Sequence, residues 1–395
     1  MLFRSDGVPW QLVERLRPTV NVTLSRRVVL SGTGELSLVQ GRDLGRELRR
    51  TVLESEVGPL VEALCEWPED DTMALSDVFR LDRLHLDVYL PQVDLRVGRQ
   101  AVQWGSAMMI NPSDPFPEVL FTEPWRPRRG VNAARATVPI PGGHQIQAVV
   151  GLDDRFRHVR AAARGTVQAA NVDVSVVGAF RSDDTSGRVG VDVRGTWAVG
   201  LWLEGVVHLD QGAYGEGVWE ELAVGLDWNG TMLQGVGVAA QYYRSGRKAA
   251  GGGLSSALAS VELPECDGVD VGERLGFGGE VDPFAPVFSG SDYLLLMGRV
   301  GIVRELSVSA VLLQNLGDGT GVAVPTLSLR PNGWLELGVA GQVPYRMWGD
   351  GGEFSPNEED LVQRLEVVPG VEGPTLDLRG LVPKATVTGW LRYNF

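Results

Sequence analysis

The feature that most constrains this chain is a period of two. From about residue 84 onward, apolar and polar residues alternate in run after run. Val172, Val174, Val176, Gly178 and Phe180 alternate with Asp173, Ser175 and Ala179. In the next run Val189, Val191, Val193 and Trp197 alternate with Arg188, Asp192, Arg194 and Thr196, so one face carries charges of both signs and the other carries none. The pattern returns over 201–208, 221–228, 306–312 and 335–339. Such runs read as strands with two chemically distinct faces.

The punctuation between runs is equally regular. Short reversals are expected at Pro91-Gln92, Pro141-Gly142-Gly143, Gln168 to Ala170, Ala198 to Gly200, Trp228-Asn229-Gly230, Val303-Arg304 and Pro331-Asn332-Gly333. Other connections, at 105–131, 152–156, 182–187, 210–217, 244–290, 316–319 and 345–383, fall between them in strict alternation. A soluble sandwich also alternates along its strands. Tight turns on one side and variable loops on the other are what an outer-membrane barrel produces. One strand near 19–30, fourteen between 80 and 344 and one at 384–395 predict 16 strands within a range of 14–18, with both termini on the short-turn side. The expected fold is therefore all-β: a transmembrane antiparallel up-and-down β-barrel forming one domain over 1–395, with short periplasmic turns and longer extracellular loops. Two segments stand apart. Residues 42–72 are expected to form a helical loop or plug, because Leu48, Val52, Leu53, Leu60 and Leu64 fall near one face, interrupted by Pro59. Residues 106–131, rich in Pro, Trp and Arg, are expected either to enter the lumen as a constriction or to cap it.

Composition removes other classes. No run reaches the roughly 18 apolar residues of a membrane helix, whereas barrel strands expose only every second residue to lipid. A formal net charge of −14 argues against a nucleic-acid partner. The first residues lack a secretory signal, so the chain is read as a mature or trimmed form. Cys65 and Cys266 are the only cysteines, and both fall in long connections assigned to one side. A disulfide and two separate thiols are both open at this point.

The segment ending at 395 places Leu391, Tyr393 and Phe395 on one face, with Arg392 and Asn394 on the other. This resembles the insertion signal that the barrel-assembly machinery reads on outer-membrane barrels. The stretch Val93-Asp94-Leu95-Arg96-Val97-Gly98-Arg99-Gln100, then Trp104-Gly105, then Asn111-Pro112 and Asp114, resembles a motif of large porin-like barrels of proteobacteria. The resemblance covers about a tenth of the chain, and it implies a channel for small solutes, hydrophobic or acidic, in the outer membrane.

If the apolar set faces lipid, the other set lines a wet lumen. That lining reads Asp94, Arg96, Arg160, Arg164, Asp173, Arg181, Arg188, Asp192, Arg194, Glu204, Glu221, Asp227, Arg299, Glu336 and Arg392. These residues either pair across strands or face water. Arg99, Arg126, Arg128, Arg129 and Asp114 are constriction candidates. No HExxH, Gly-x-Ser-x-Gly or Cys/His cluster accompanies the four histidines, so no enzyme, metal or cofactor is expected. The acidic, glycine-rich 244–290 segment lacks EF-hand spacing and reads as a solvated loop. The expected partners are outer-membrane lipid, the barrel-assembly machinery and a small-molecule solute, with the oligomeric state open. Two other readings remain: a structural or adhesive barrel with a plugged lumen, and a soluble all-β secreted protein.

Overall fold

A computed structural model describes residues 10–41, 65–66, 79–116, 127–152, 158–182, 186–210, 217–246, 265–266, 290–355, 362–364, 375–377 and 385–394. The strands are β1 (Trp10–Arg17), β2 (Thr19–Ser25), β3 (Val28–Gly41), β4 (Cys65–Glu66), β5 (Phe79–Tyr89), β6 (Asp94–Gln100), β7 (Val131–Ile140) and β8 (His144–Leu152). They continue as β9 (Val159–Ala169), β10 (Val172–Arg181), β11 (Ser186–Thr196), β12 (Gly200–Asp210), β13 (Gly217–Gly230), β14 (Val236–Ser245) and β15 (Glu265–Cys266). The last are β16 (Asp292–Gly301), β17 (Leu306–Asn315), β18 (Thr320–Leu329), β19 (Leu335–Arg346), β20 (Val362–Arg364), β21 (Thr375–Asp377) and β22 (Thr386–Asn394).

From β3 onward each wall strand pairs antiparallel with the next, through to β19 with β22. β1 and β2 lie end to end along β3, with Leu16 opposite Leu36 and Thr19 opposite Thr33. The break between them is Pro18, whose ring nitrogen has no N–H to give a ladder. β1 then pairs parallel with β22, Trp10 opposite Val387 and Arg17 opposite Asn394, and the sheet is closed. Its 18 strands form 17 staves, because β1 and β2 share one.

The fourteen strands expected between 80 and 344 are present as β5 to β14 and β16 to β19. The stave beyond the expected 16 comes from the start of the chain. What reads as one strand near 19–30 is a hairpin that turns at Arg26-Arg27. A two-residue turn alone would set residues of opposite parity on one face, but the register slips between Thr23 and Ser25, so Val20 and Val22 share the parity of Leu30 and the alternation shows no break there. An odd count also corrects the placement of the ends: Trp10 lies at the long-connection end, while β22 finishes at the short-turn end. The turn placed at Trp228 to Gly230 is displaced as well. β13 runs to Gly230, and the positive φ angles fall on Leu233 (54°) and Gly235 (106°). The expected helix of 42–72 lies outside the described residues, apart from Cys65–Glu66 in β4.

The two faces separate as the alternation requires. On β10 to β12 the outward Val174, Val176, Val189, Val191, Leu201, Leu203, Val207 and Leu209 are 40–58% exposed, while Ser175, Asp192, Glu204 and His208 of the same strands are buried. Exposed aromatics stand at both rims: Trp197, Trp228 and Trp334 by the short turns, Phe79, Phe180 and Trp348 by the long connections. An apolar band bounded by aromatic girdles is the outer surface of a barrel solvated by hydrocarbon. Strand lengths agree, since β10 has 10 residues and β11 and β12 have 11, against about 9–11 for a tilted span.

Val191→Arg places a guanidinium on the outward face midway along β11. It should cost about 2–4 kcal/mol in chemical unfolding from liposomes. Asp173→Arg, on the inner face of β10, should cost far less. Equal costs would mean that the faces are assigned wrongly.

Candidate functional site

After β6 the chain enters the barrel instead of spanning it, and residues 101–116 are held against the inner wall by side chains of β11, β12 and β14. Glu204 accepts from Ala107 N (2.6 Å), Ser113 N (3.1 Å) and Ser113 Oγ (2.8 Å). Gln241 accepts from Met108 N (2.9 Å) and donates to Ile110 O (2.9 Å). Asp192 accepts from Ser106 Oγ, and Arg194 donates to Ser106 O at 3.1 Å. Arg188 donates to the carbonyls of Pro112 and Asp114. A loop at this depth has no ladder partner for its backbone, and these side chains supply one.

The motif residues at 98–114 acquire physical reasons here. Gly98 has a φ of 121°, and a β-carbon there would stand 2.2 Å from the Leu84 carbonyl oxygen. Gln100 is fully buried and donates to Ala133 O at 2.8 Å. Trp104 is buried under the Arg164 guanidinium, 5.3 Å from the ring centroid. Gly105 has a φ of 89°, and a β-carbon would approach Glu204 Oε1 to 2.7 Å and Ser113 Oγ to 2.8 Å, so any side chain would displace the anchor. Asp114 accepts from Phe116 N (2.9 Å) and pairs with Arg128 (2.5 Å). Burial pushes the Asp114 carboxyl up, and the Arg128 guanidinium is the largest influence pulling it back.

Beneath this loop, toward the short turns, lies a cavity of about 960 Å³. Gly105 to Met108 form its roof. Its walls carry three guanidiniums, Arg164, Arg194 and Arg299, and three carboxylates, Asp173, Asp192 and Asp227. Arg194 pairs with Asp227 at 2.8 Å, and Arg164 donates to Gln147 Oε1 at 3.0 Å.

All fifteen lining candidates fall on the inward parity of their strands, Asp94, Arg160 and Arg181 among them. Several are tied to protein groups. Arg96 is bidentate to Asp87 (2.5 and 3.0 Å), Glu221 meets His208 (2.7 Å) and Tyr243, and Glu336 meets Arg392 (3.3 Å) and Arg330 (3.2 Å). Of the constriction candidates, Arg128 and Asp114 hold the loop's far side, and Arg129 is exposed beside them. Arg99 is a correction. Its Cα lies between Leu84 and Asn132, one strand position from the inward Gln100, so it takes the outward parity. Arg126 and Phe395 lie outside the described residues. Leu391 and Tyr393 face outward, and Tyr393 stacks on Trp334 with centroids 6.1 Å apart. The backbone register of β4 and β15 sets Cys65 opposite Cys266.

The inner wall is less uniformly polar than the alternation implies. Trp202, Tyr243, Tyr293, Leu313, Val324 and Trp390 point inward and join Ala107 and Ile110 in one buried cluster. The signal was present in Tyr293 to Met297 and Ala310 to Leu313, runs apolar at both parities, which mark strands covered on both faces. Gln241 carries no such mark, because a neutral polar side chain on an inward position looks the same whether it anchors a loop or meets water.

A closed sheet with an apolar outer band and a polar chamber inside defines the class: an outer-membrane-type β-barrel. No family profile matches the chain, and no curated protein matches it. Solved barrels are similar in form. They include OccK5 (OpdH) of Pseudomonas aeruginosa, at 12% identity over 81% of this chain and 82% of that one, with a TM-score of 0.45. OccAB2 of Acinetobacter baumannii has 9% identity over 86% and 87%, with a TM-score of 0.47. Wzi of Escherichia coli, described as a carbohydrate-binding β-barrel involved in capsule assembly, has 8% identity over 86% and 81%, also at 0.47. Likeness at this level carries no substrate or site across to this chain.

Removing the main anchor tests the site. Glu204→Ala should strip acceptors from two loop amides, at about 1–3 kcal/mol for each group left buried and unpaired. Hydrogen exchange at Ala107 and Ser113 should accelerate by at least tenfold, while amides of β16 to β18 stay as slow as before.

Proposed function

We propose that this chain is a passive, weakly selective channel for small polar solutes in a bacterial outer membrane, with the 101–116 loop as its constriction. The observation that supports this most is the chamber beneath that loop, where three guanidiniums and three carboxylates line one wet space. Charges of opposite sign on one wall largely cancel at a distance, so neither cations nor anions gain much. Short-range recognition of small zwitterionic or polar molecules survives that cancellation.

The test is a planar-bilayer recording of purified protein. Discrete conductance steps are expected, with an anion-to-cation permeability ratio within about threefold of unity, since the two sets of wall charges balance. Arg299→Glu should move that ratio toward cations. Silence at all voltages would overturn the channel and leave the plugged barrel.

The same reading assigns two further roles. Leu391 and Tyr393, outward on the last strand, would be what the barrel-assembly machinery reads, and Cys65 with Cys266 would form a disulfide clasping two long connections. Thiol titration of the unfolded, unreduced protein should find no free thiol; two would overturn the clasp.

A further inference from the structure

The chamber beneath the loop carries its charges in a definite order. Along the inner wall from β9 to β16, Arg164 is followed by Asp173, then Asp192 with Arg194, then Asp227, then Arg299. Much of this series is committed to protein groups. Arg194 is held by Asp227 at 2.8 Å, Asp192 accepts from Ser106, and Arg164 donates to Gln147 Oε1 at 3.0 Å. The other two charges, of opposite sign, are open to the cavity: Asp173 is half-buried on β10 and Arg299 is exposed on β16.

Strand geometry sets the distance between them. The residues opposite one another from Asp173 run through Arg194, Trp202, Gly225 and Gln241 to Leu295, five strand spacings or roughly 24 Å. Arg299 lies four residues beyond Leu295 toward the short turns, roughly 13 Å further along β16. The two Cα atoms are therefore about 27 Å apart along the wall, and side chains reaching inward over the curve bring carboxylate and guanidinium to roughly 15–18 Å. A hydrogen bond of about 3 Å at each end leaves a guest spanning roughly 10 Å. The floor of that path is low. Gly237 stands directly between Asn229 and Arg299, and Ala239 between Asp227 and Met297, so no bulky side chain rises in front of Arg299.

Resting on the reading of this space as a wet chamber, we propose that it binds an unblocked peptide of about three extended residues, each adding roughly 3.4 Å. Its amine meets Asp173 and its carboxylate meets Arg299. A simple anion is drawn to Arg299 but repelled by Asp173 and Asp227, and a simple cation meets the reverse. A free amino acid carries both charges on one carbon and cannot touch both ends. Asn229, whose amide both donates and accepts, lies beside the path where the peptide bonds fall. A cavity of about 960 Å³ is within the range that encloses such a guest.

The test is isothermal titration calorimetry of detergent-solubilised full-length protein with tri-alanine. The peptide with free ends should bind at least tenfold more tightly than its N-acetylated form, its C-amidated form or alanine itself. Asp173→Asn should abolish the preference for the free amine and keep that for the free carboxylate, and Arg299→Gln should do the converse. The blocked peptides make the same comparison on the unaltered protein, so a variant that fails to fold leaves the test intact. Equal binding of free and blocked tri-alanine, or no binding of either, overturns the peptide site. Conductance steps in protein that shows no such preference keep the channel and remove only this site. Tri-alanine bound with both preferences by a barrel that conducts nothing keeps the site and removes the channel.

Discussion

The structure depends on one requirement: a backbone N–H or C=O placed in hydrocarbon must find its partner within the protein. A sheet meets it only by closing. Here closure is completed by the parallel pairing of β1 with β22, and the apolar outer face and wet interior both follow from it. The alternation of side chains is the local expression of the same demand, since along a closed wall each residue that faces lipid is followed by one that faces the lumen.

Inside the wall the same rule applies to a loop. Residues 101–116 have no strand beside them, so their backbone groups are met by Glu204, Gln241, Asp192, Arg188 and Arg194. Inward charges therefore divide into two kinds. Some, such as Glu204, are spent on holding the loop, whereas Arg299 and Asp173 stay on the chamber wall. The loop and the chamber form one construction, because Gly105 to Met108 are at once the anchored segment and the roof.

The sequence made the wall legible and much of its contents opaque. Strand period, turn chemistry and the alternation of short and long connections identify the barrel and its inward charges, because each is a local property. The hairpin at Arg26-Arg27 is hidden because the register slip between Thr23 and Ser25 restores the parity that a two-residue turn reverses. Arg99 at the constriction runs against the alternation itself, because Arg99 shares the odd, outward parity of Leu95 and Val97 and the register of β6 is unbroken through Gly98. That Glu204 would accept from three loop groups also lay beyond reading, since its partners are about 90 to 100 positions away and belong to a segment without period.

The parallel seam has a kinetic side. It joins residues 10–17 to 387–394, the most distant pairing in the wall, while every other wall junction except the long β3–β5, β6–β7, β14–β16 and β19–β22 connections links near neighbours. Pairing that depends on such separation pays its loop-closure entropy before any contact rewards it. The nascent sheet must therefore persist as an open, curling ribbon with two bare margins until its final strand arrives. Whatever shelters those margins during biogenesis sets the pace at which the ring can be sealed.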